Sequence, residues 1–296
     1  MYDGAWRSEA ADGEDRRGGQ GARDGALARN DGAAEVGFGS DGRLVHLFQS
    51  TPCRVAFPRP ESGDLSLGVF ITTSGGLAGG DRLRFRASVA AGGRAMVTTQ
   101  AAEKIYRSLG ADTRVDVAVE AGPGAWVEWL PQETIVFDRA RLRRRTDLHL
   151  AAGARAMAGE LVVLGRAAHG ETFRRGLLRD EIRLHRDGRL VWMDALHLVG
   201  DDVAAIVAAA AGFGGGTALA TGLYAAEDAP ARLEEARASL AERAEVRAGA
   251  TVVNGILVVR MLGDPFSVRR AFGLWWTGFR AAAAGLPARL PRLWSV

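Results

Sequence analysis

The sequence predicts a mainly β fold, in which stacked sheets form a β-sandwich or a solenoid-like arrangement, with about two α-helices in the C-terminal third. Two observations support this prediction. Between residues 44 and 192, short apolar runs recur about every ten residues and are separated by Gly or Asp-Gly, as in all-β folds. Glycine supplies 39 of the 296 residues without a collagen-like period, which indicates many turns and bulges.

The predicted strands follow from period-2 alternation of apolar and polar residues. Residues 83–89 and 115–120 alternate in this way, which is typical of half-buried strands. Residues 181–186 do the same and are followed by Asp187-Gly188, a strong hairpin turn, and by a second apolar run at 190–192. These segments predict strands joined by tight turns.

The C-terminal third changes from period 2 to helical spacing. Asp228 is a candidate N-cap for a helix over about 229–247, and Ser267 for a second helix over about 268–284. Residues 251–261 between them are β-branched and apolar with one Asn-Gly, which predicts a strand pair or a bulged strand. The second helix carries a wide apolar stripe formed by Val268, Phe272, Trp275, Trp276 and Phe279.

Composition divides the chain into a predicted disordered tail, residues 1–26, and a single β-rich domain, residues 27–296. The tail is rich in Gly, Asp, Glu and Arg and has almost no apolar residues. Cys53 is the only cysteine, which fits a reducing compartment. No run approaches the roughly 18 apolar residues that a membrane-spanning helix needs. We therefore predict a cytoplasmic protein without a membrane partner.

No motif indicates a catalytic or nucleotide-binding site. Gly75 and Gly80 have the spacing of a phosphate-binding loop, but Asp81 stands where that loop needs lysine, so a turn is the favoured interpretation. The glycines at 212–216 lack the spacing of a dinucleotide loop, and a Gly-x-Ser-x-Gly elbow is absent from the sequence. We therefore predict no catalytic residue and no permanently bound cofactor.

The candidate metal ligands are acidic. The five histidines are too far apart in sequence to form a local metal box: His46, His149, His169, His185 and His197. Glu128, Asp138 and Glu160 lie near apolar strands, where buried carboxylates can act as hard ligands for a divalent ion in transit. The alternative is that they form salt bridges with the abundant arginines.

Two further segments are candidate partner surfaces. Arg141, Arg143 and Arg145 would share one face of a strand and could bind an acidic protein surface or nucleic acid, or serve as a solvated strand edge. The run has no interleaved aromatic residues, which disfavours nucleic acid. Trp275 and Trp276 suit either the core or a partner groove, since Trp is enriched at interface hot spots.

Three blocks, in this order and at this spacing, carry a family resemblance. They are SGGLAGGDRL at 74–83, TTQAAEKIYRS at 98–108 and EWLPQETIVF at 128–137, supported by shorter pieces at 159–166, 170–173 and 291–294. Together they resemble the urease accessory protein family UreD, also called UreH, from about Arg54 to the end of the chain.

The resemblance implies a urease maturation scaffold rather than an enzyme. It implies a mostly β fold and a complex with a helical accessory protein and a GTP-hydrolysing accessory protein, docked on urease apoprotein. In that assembly nickel moves towards the urease active site, and this chain would hold the ion only in transit. The alternatives are a β-solenoid enzyme acting on a polysaccharide, with acids and arginines in a groove, and a nucleic-acid-binding β protein.

Overall fold

A computed structural model describes residues 29–240 and 245–294; the predicted tail, residues 1–26, lies outside this range. The described strands, in chain order, are β1 (Asp31–Phe38), β2 (Leu44–Gln49), β3 (Cys53–Ala56), β4 (Ser66–Thr72), β5 (Arg82–Val89), β6 (Arg94–Thr99), β7 (Glu103–Ile105), β8 (Thr113–Ala121), β9 (Trp126–Leu130), β10 (Thr134–Val136), β11 (Arg141–Leu150), β12 (Arg155–Leu164), β13 (Gly176–Arg186), β14 (Arg189–Gly200), β15 (Ala218–Ala225), β16 (Val246–Val253) and β17 (Ile256–Gly263). The described helices are α1 (Val203–Ala208), α2 (Leu233–Ser239) and α3 (Pro265–Ala284).

The strands form two stacked sheets. The seven-stranded sheet has the order β14-β13-β11-β8-β5-β1-β2. The ten-stranded sheet has the order β16-β17-β15-β12-β9-β6-β4-β3, with β10 joined to β12 and β7 joined to β10. The predicted mainly β, stacked-sheet architecture is confirmed.

The centre of the fold is solenoid-like. From β5 to β13 the chain passes repeatedly between the sheets, and neighbouring strands within each sheet are parallel, as for β5, β8, β11 and β13. Parallel neighbours require crossover connections, and here each crossover passes through a strand of the other sheet. Antiparallel pairs, including β1 with β2 and β13 with β14, extend this centre at its sides.

The alternating runs form the strands that their spacing predicts. Residues 83–89 lie in β5 and residues 115–120 in β8, each with its apolar side chains towards the core. The predicted hairpin joins β13 to β14. Asp187 and Gly188 at its turn have φ values of 46° and 77°, the left-handed conformation that a two-residue hairpin needs.

The helices differ from the prediction in number and length. The predicted helix over 229–247 is a 3₁₀ turn followed by α2, which ends at Ser239, and Val246 already begins β16. Pairing with β17 accounts for this difference, since residues 246–253 form a hairpin with β17 through Asn254-Gly255. α3 begins at Pro265, two residues before Ser267, because Asp264 is its N-cap and accepts hydrogen bonds from the Phe266 and Ser267 backbone N–H groups. α1 was not predicted.

Two apolar cores make this a three-layer structure. The first lies between the sheets and contains side chains such as Phe70, Phe85 and Trp129. The second lies on the opposite face of the ten-stranded sheet, beneath α3, and contains Trp126 and Tyr224. The central strands of the ten-stranded sheet are therefore buried on both faces, as β9 and β12 are almost throughout.

A pair of glycines in the ten-stranded sheet allows the aromatic face of α3 to pack closely against it. Gly159 of β12 and Gly222 of β15 lie opposite each other in the ladder. A Cβ at Gly159 would lie 2.7 Å from the Phe272 ring, and one at Gly222 would lie 2.5 Å from Cζ3 of Trp275. The glycines therefore form a depression in the sheet that the rings of α3 fill.

We expect Gly222→Ala to lower the free energy of unfolding by about 1–3 kcal/mol, because the added methyl group overpacks the contact with Trp275. Gly278→Ala is the matched control, since Gly278 is exposed on α3 and a Cβ there meets no atom within 4 Å. It should be neutral or stabilising by up to about 1 kcal/mol, as Ala is favoured over Gly in a helix. Chemical denaturation of both variants tests this, and equal effects would contradict the proposed packing role.

Candidate functional site: buried carboxylates and their arginines

Glu128 lies beneath α3 and is bound by an arginine of that helix. Its side chain is fully buried, and both carboxylate oxygens lie 3.1 Å from Nε of Arg280. Trp126 Nε1 donates to the same carboxylate at 3.0 Å. Arg280 also donates to Asp64 at 2.8 Å and to the Pro287 carbonyl at 2.8 Å. One guanidinium therefore ties the sheet, α3 and two loops together.

Glu160 belongs to a second buried network, between the two sheets. Arg144 of β11 donates two hydrogen bonds to Asp180 of neighbouring β13, at 2.8 and 2.6 Å. The same guanidinium lies 2.7 Å from Glu160 Oε2 on β12 of the other sheet. Trp129 Nε1 and the Thr146 hydroxyl donate to Glu160 Oε1 at 3.1 and 2.9 Å. This triad links the sheets through the first core.

In both networks the pKa of the glutamate is raised, but the networks differ in charge. Burial raises the pKa of Glu128, with Arg280 opposing the rise. Burial also raises the pKa of Glu160; Arg144 opposes it, and the nearby carboxylate of Asp180 adds to it. Arg144 faces two carboxylates, so the inter-sheet triad carries one more acid than base.

Asp138 serves a third, separate role. It follows β10, and its carboxylate Oδ1 accepts hydrogen bonds from the backbone N–H groups of Arg174 and Arg175, at 2.9 and 3.2 Å. Its own backbone N–H donates to Glu171 at 2.7 Å. The structure thus does not bring the three predicted acids together: Glu128 and Glu160 face opposite sides of one sheet, and Asp138 clamps a loop.

The arginine run lies on the outer face of the seven-stranded sheet. Arg141, Arg143 and Arg145 alternate with inward-facing residues along β11, so they do share a face. Arg141 and Arg143 both donate to Asp112, at 2.6 and 2.5 Å, and Arg145 lies 3.0 Å from Asp147. Their charges are therefore largely matched by carboxylates of the same face.

Trp275 and Trp276 are core residues, which corrects the prediction of a partner groove. Both are fully buried in the second core. Trp275 stacks with Phe279 at a centroid separation of 5.6 Å, and Phe272 packs against both indoles. The apolar stripe of α3 faces the ten-stranded sheet because packing there removes the apolar surface of these side chains from water.

The signature blocks at 74–83 and 98–108 meet in space as a turn and its support. Asp81 accepts hydrogen bonds from the backbone N–H groups of Asn30 and Ala78, at 2.8 and 2.9 Å. The Tyr106 hydroxyl donates to the Gly75 carbonyl at 2.8 Å. Asp81 therefore closes the glycine turn, which explains a carboxylate at this position of the block.

The block at 128–137 contacts the one at 291–294 across the chain. The Gln132 side-chain amide donates to the Leu293 carbonyl at 2.9 Å. Trp294 Nε1 donates to the Leu130 carbonyl at 3.4 Å, and the Arg269 guanidinium lies 4.5 Å above the Trp294 ring. The C-terminal segment is thereby held against the edge of the second core.

Sequence reasoning missed the partners of the acids. Arg280 lies on a helix and Arg144 within a run of surface arginines, so the residue type alone identified neither of them as buried. It also missed Glu103 within the second signature block, where burial raises the pKa of the carboxyl group to about 7. Polar residues at apolar positions of a pattern are the one available signal, as for Arg144 between Leu142 and Thr146.

We expect Arg280→Met to lower the free energy of unfolding by about 3–5 kcal/mol, because it leaves Glu128 buried without its counter-charge. Arg86→Met is the control: it removes an exposed pair with Glu120 and should cost about 0–1 kcal/mol. The double variant Arg280→Met/Glu128→Gln should recover part of the loss. Urea denaturation measures all three, and similar losses in the two single variants would refute the ion-pair role.

The comparisons with known proteins agree with these observations. The family model described as UreD urease accessory protein matches residues 30–295. A urease accessory protein UreD of Magnetococcus marinus is 47% identical over 259 residues, covering 86% of this chain and 89% of the relative. A urease accessory protein UreD of Xanthobacter autotrophicus is 42% identical over 295 residues, covering 98% of both chains.

A third relative, urease accessory protein UreD 2 of Methylorubrum populi, is 44% identical over 264 residues, 88% of this chain and 87% of its own length. Among the described helices, none has the length and apolar character needed to cross a membrane. The family match extends over both sheets, α3 and every signature block, and the identities far exceed those of unrelated chains. This chain belongs to the UreD urease accessory protein family.

Proposed function

We propose that this protein is a urease maturation scaffold, which helps to insert nickel into the urease active site together with a helical accessory protein and a GTPase. The observation that carries the proposal is the family match over residues 30–295, with relatives named as urease accessory proteins. The proposed partners include the urease apoprotein, and the proposed compartment is the cytoplasm, where a buried free thiol such as Cys53 is stable.

A scaffold without catalytic activity fits the contacts of the signature residues. Asp81 closes the glycine turn at 74–83, and its carboxylate oxygens accept hydrogen bonds from the backbone N–H groups of Asn30 and Ala78. A carboxylate at this position repels phosphate. Energy from GTP would therefore enter through the GTPase partner. The polysaccharide-enzyme and nucleic-acid alternatives are not favoured, since Glu128 and Glu160 are bound to arginines and Arg141 and Arg143 to Asp112.

We propose that nickel is cargo in transit, and that Glu128, Asp138 and Glu160 take part in its passage. Glu160 has the best support. It lies between the sheets in a triad of two carboxylates and one guanidinium, and this acidic excess favours a cation. Glu128 has a weaker claim, because its network matches two carboxylates, Glu128 and Asp64, with two guanidinium groups, those of Arg280 and Arg289.

The proposed partner surfaces are on the outer face and edge of the seven-stranded sheet. Arg141, Arg143 and Arg145 remain the predicted contact for an acidic partner surface. All residues of the edge strand β2 are exposed, among them Val45 at 68% and Phe48 at 48%. Exposed apolar side chains on a sheet edge are typical of sites at which another protein docks.

Deletion of the gene for this protein should leave urease subunits present but nickel-free and inactive. The measurement is the nickel content of urease purified from the deletion strain, with enzyme activity and subunit abundance determined in parallel. Re-expression of the full chain is the control and should restore both nickel and activity. Normal nickel occupancy in the deletion strain would rule the proposed function out.

Neutral, isosteric variants test the nickel passage. We expect Glu160→Gln to lower urease activation several-fold, with smaller losses for Glu128→Gln and Asp138→Asn, while the accessory complex still assembles. Glu133→Gln is the matched control, since Glu133 is a partly buried carboxylate paired with Arg269 at the second core. Pull-down of the complex and urease activity are the two readouts. Unchanged activation in the triple variant would leave these acids with structural roles alone.

A further inference from the structure

Two histidines and an aspartate meet on the outer face of the seven-stranded sheet. Asp147 and His149 lie two residues apart on β11, and parallel register sets His149 directly beside His185 of β13. One ligand atom from each of the three side chains lies within 4.8 Å of the other two. Residues 36 positions apart in sequence are therefore brought together, which is why no local motif indicated a metal box.

The geometry suits a single ion. Two ligand atoms bound at about 2.1 Å to a tetrahedral metal are about 3.4 Å apart. Oδ1 of Asp147 lies 3.6 Å from Nε2 of His185, and the two imidazole rings stack with centroids 4.6 Å apart and planes inclined by 24°.

An unpartnered nitrogen is the second, independent observation. Nε2 of His185 is excluded from solvent and has no hydrogen-bond partner among the described residues. Its distance from Asp147 is beyond the range of an N–H···O hydrogen bond. A buried polar atom without a partner is unfavourable, and a bound ion is one of the established reasons for it.

The neighbouring groups orient the carboxylate. Arg145 Nε lies 3.0 Å from Oδ2 of Asp147, which leaves Oδ1 directed towards His185. Glu120 lies beside His149 in the ladder and is paired with Arg86 at 2.8 Å. Hydrogen-bonded carboxylate ligands of this kind are usual around protein metal sites.

We propose that Asp147, His149 and His185 form a binding site for a divalent first-row transition metal ion on the outer face of this protein. Two imidazoles and one carboxylate suit zinc, nickel, cobalt or copper, whereas magnesium and calcium prefer oxygen ligands alone. The site is separate from Glu160, which faces the inter-sheet core, and it does not depend on the proposed function in urease maturation.

The test is metal titration of the full-length, metal-free protein after removal of any affinity tag. Calorimetry with Zn²⁺ and with Ni²⁺ should detect one site in the wild type, and Co²⁺ should give a visible absorption spectrum that reports its coordination. His149→Asn, His185→Asn and Asp147→Asn should each weaken binding at least about tenfold, and Arg145→Gln by less. Circular dichroism verifies that each variant is folded.

His46→Asn is the matched control. His46 is also an exposed histidine beside a carboxylate, with Nε2 3.0 Å from Glu35, but it lies on β2 away from the cluster. It should bind metal as the wild type does. In wild-type protein, Zn²⁺ should shift the imidazole NMR signals of two of the five histidines. Absence of binding by the wild type, or equal binding by the wild type and the three ligand variants, would overturn the proposal.

Discussion

The central strands of the ten-stranded sheet are covered on both faces, so each polar side chain on them must find its partner inside the protein. This constraint organises the structure. Glu128 faces α3 and is bound by Arg280, while Glu160 faces the other sheet and is bound by Arg144. A buried charge left unpaired would cost several kcal/mol, so these two arginines hold the layers in one arrangement.

The same constraint explains the shape of the second core. α3 packs its apolar stripe against the ten-stranded sheet. Gly159 and Gly222 of that sheet supply the space that the rings of Trp275 and Phe272 occupy. Arg280 lies near the end of this helix and completes its attachment. Apolar packing and a buried ion pair thus stabilise the same interface. Substitutions in the packing and in the ion pair should therefore have non-additive effects on the free energy of unfolding.

The residues of the signature blocks mainly make contacts that stabilise the fold. Asp81 and Tyr106 secure the glycine turn, and Gln132 and Trp294 secure the C-terminal segment. The surfaces proposed for contacts with other molecules lie instead on the outer face of the seven-stranded sheet and at its edge, β2. Such a division, in which buried side chains fix the fold and outer side chains stay accessible, fits the proposed role as a maturation scaffold.

The amino-acid pattern by itself determined what depends on neighbours in the chain. Period-2 alternation identified β5, β8 and the hairpin at Asp187-Gly188, and the helical stripe identified α3. The order of the three signature blocks identified the family. Local periodicity is sufficient for these features because it reports which side of an element is buried, whatever covers it.

Tertiary structure alone decided the rest. The end of α2, the pairing of Glu128 with Arg280 and the meeting of His149 with His185 each depend on strand order and register. Parallel strands become neighbours only after the chain has crossed through the other sheet, so the contacts that matter join residues far apart in sequence. These contacts are determined by the packing of the whole chain, so they cannot be predicted from any short segment of the sequence.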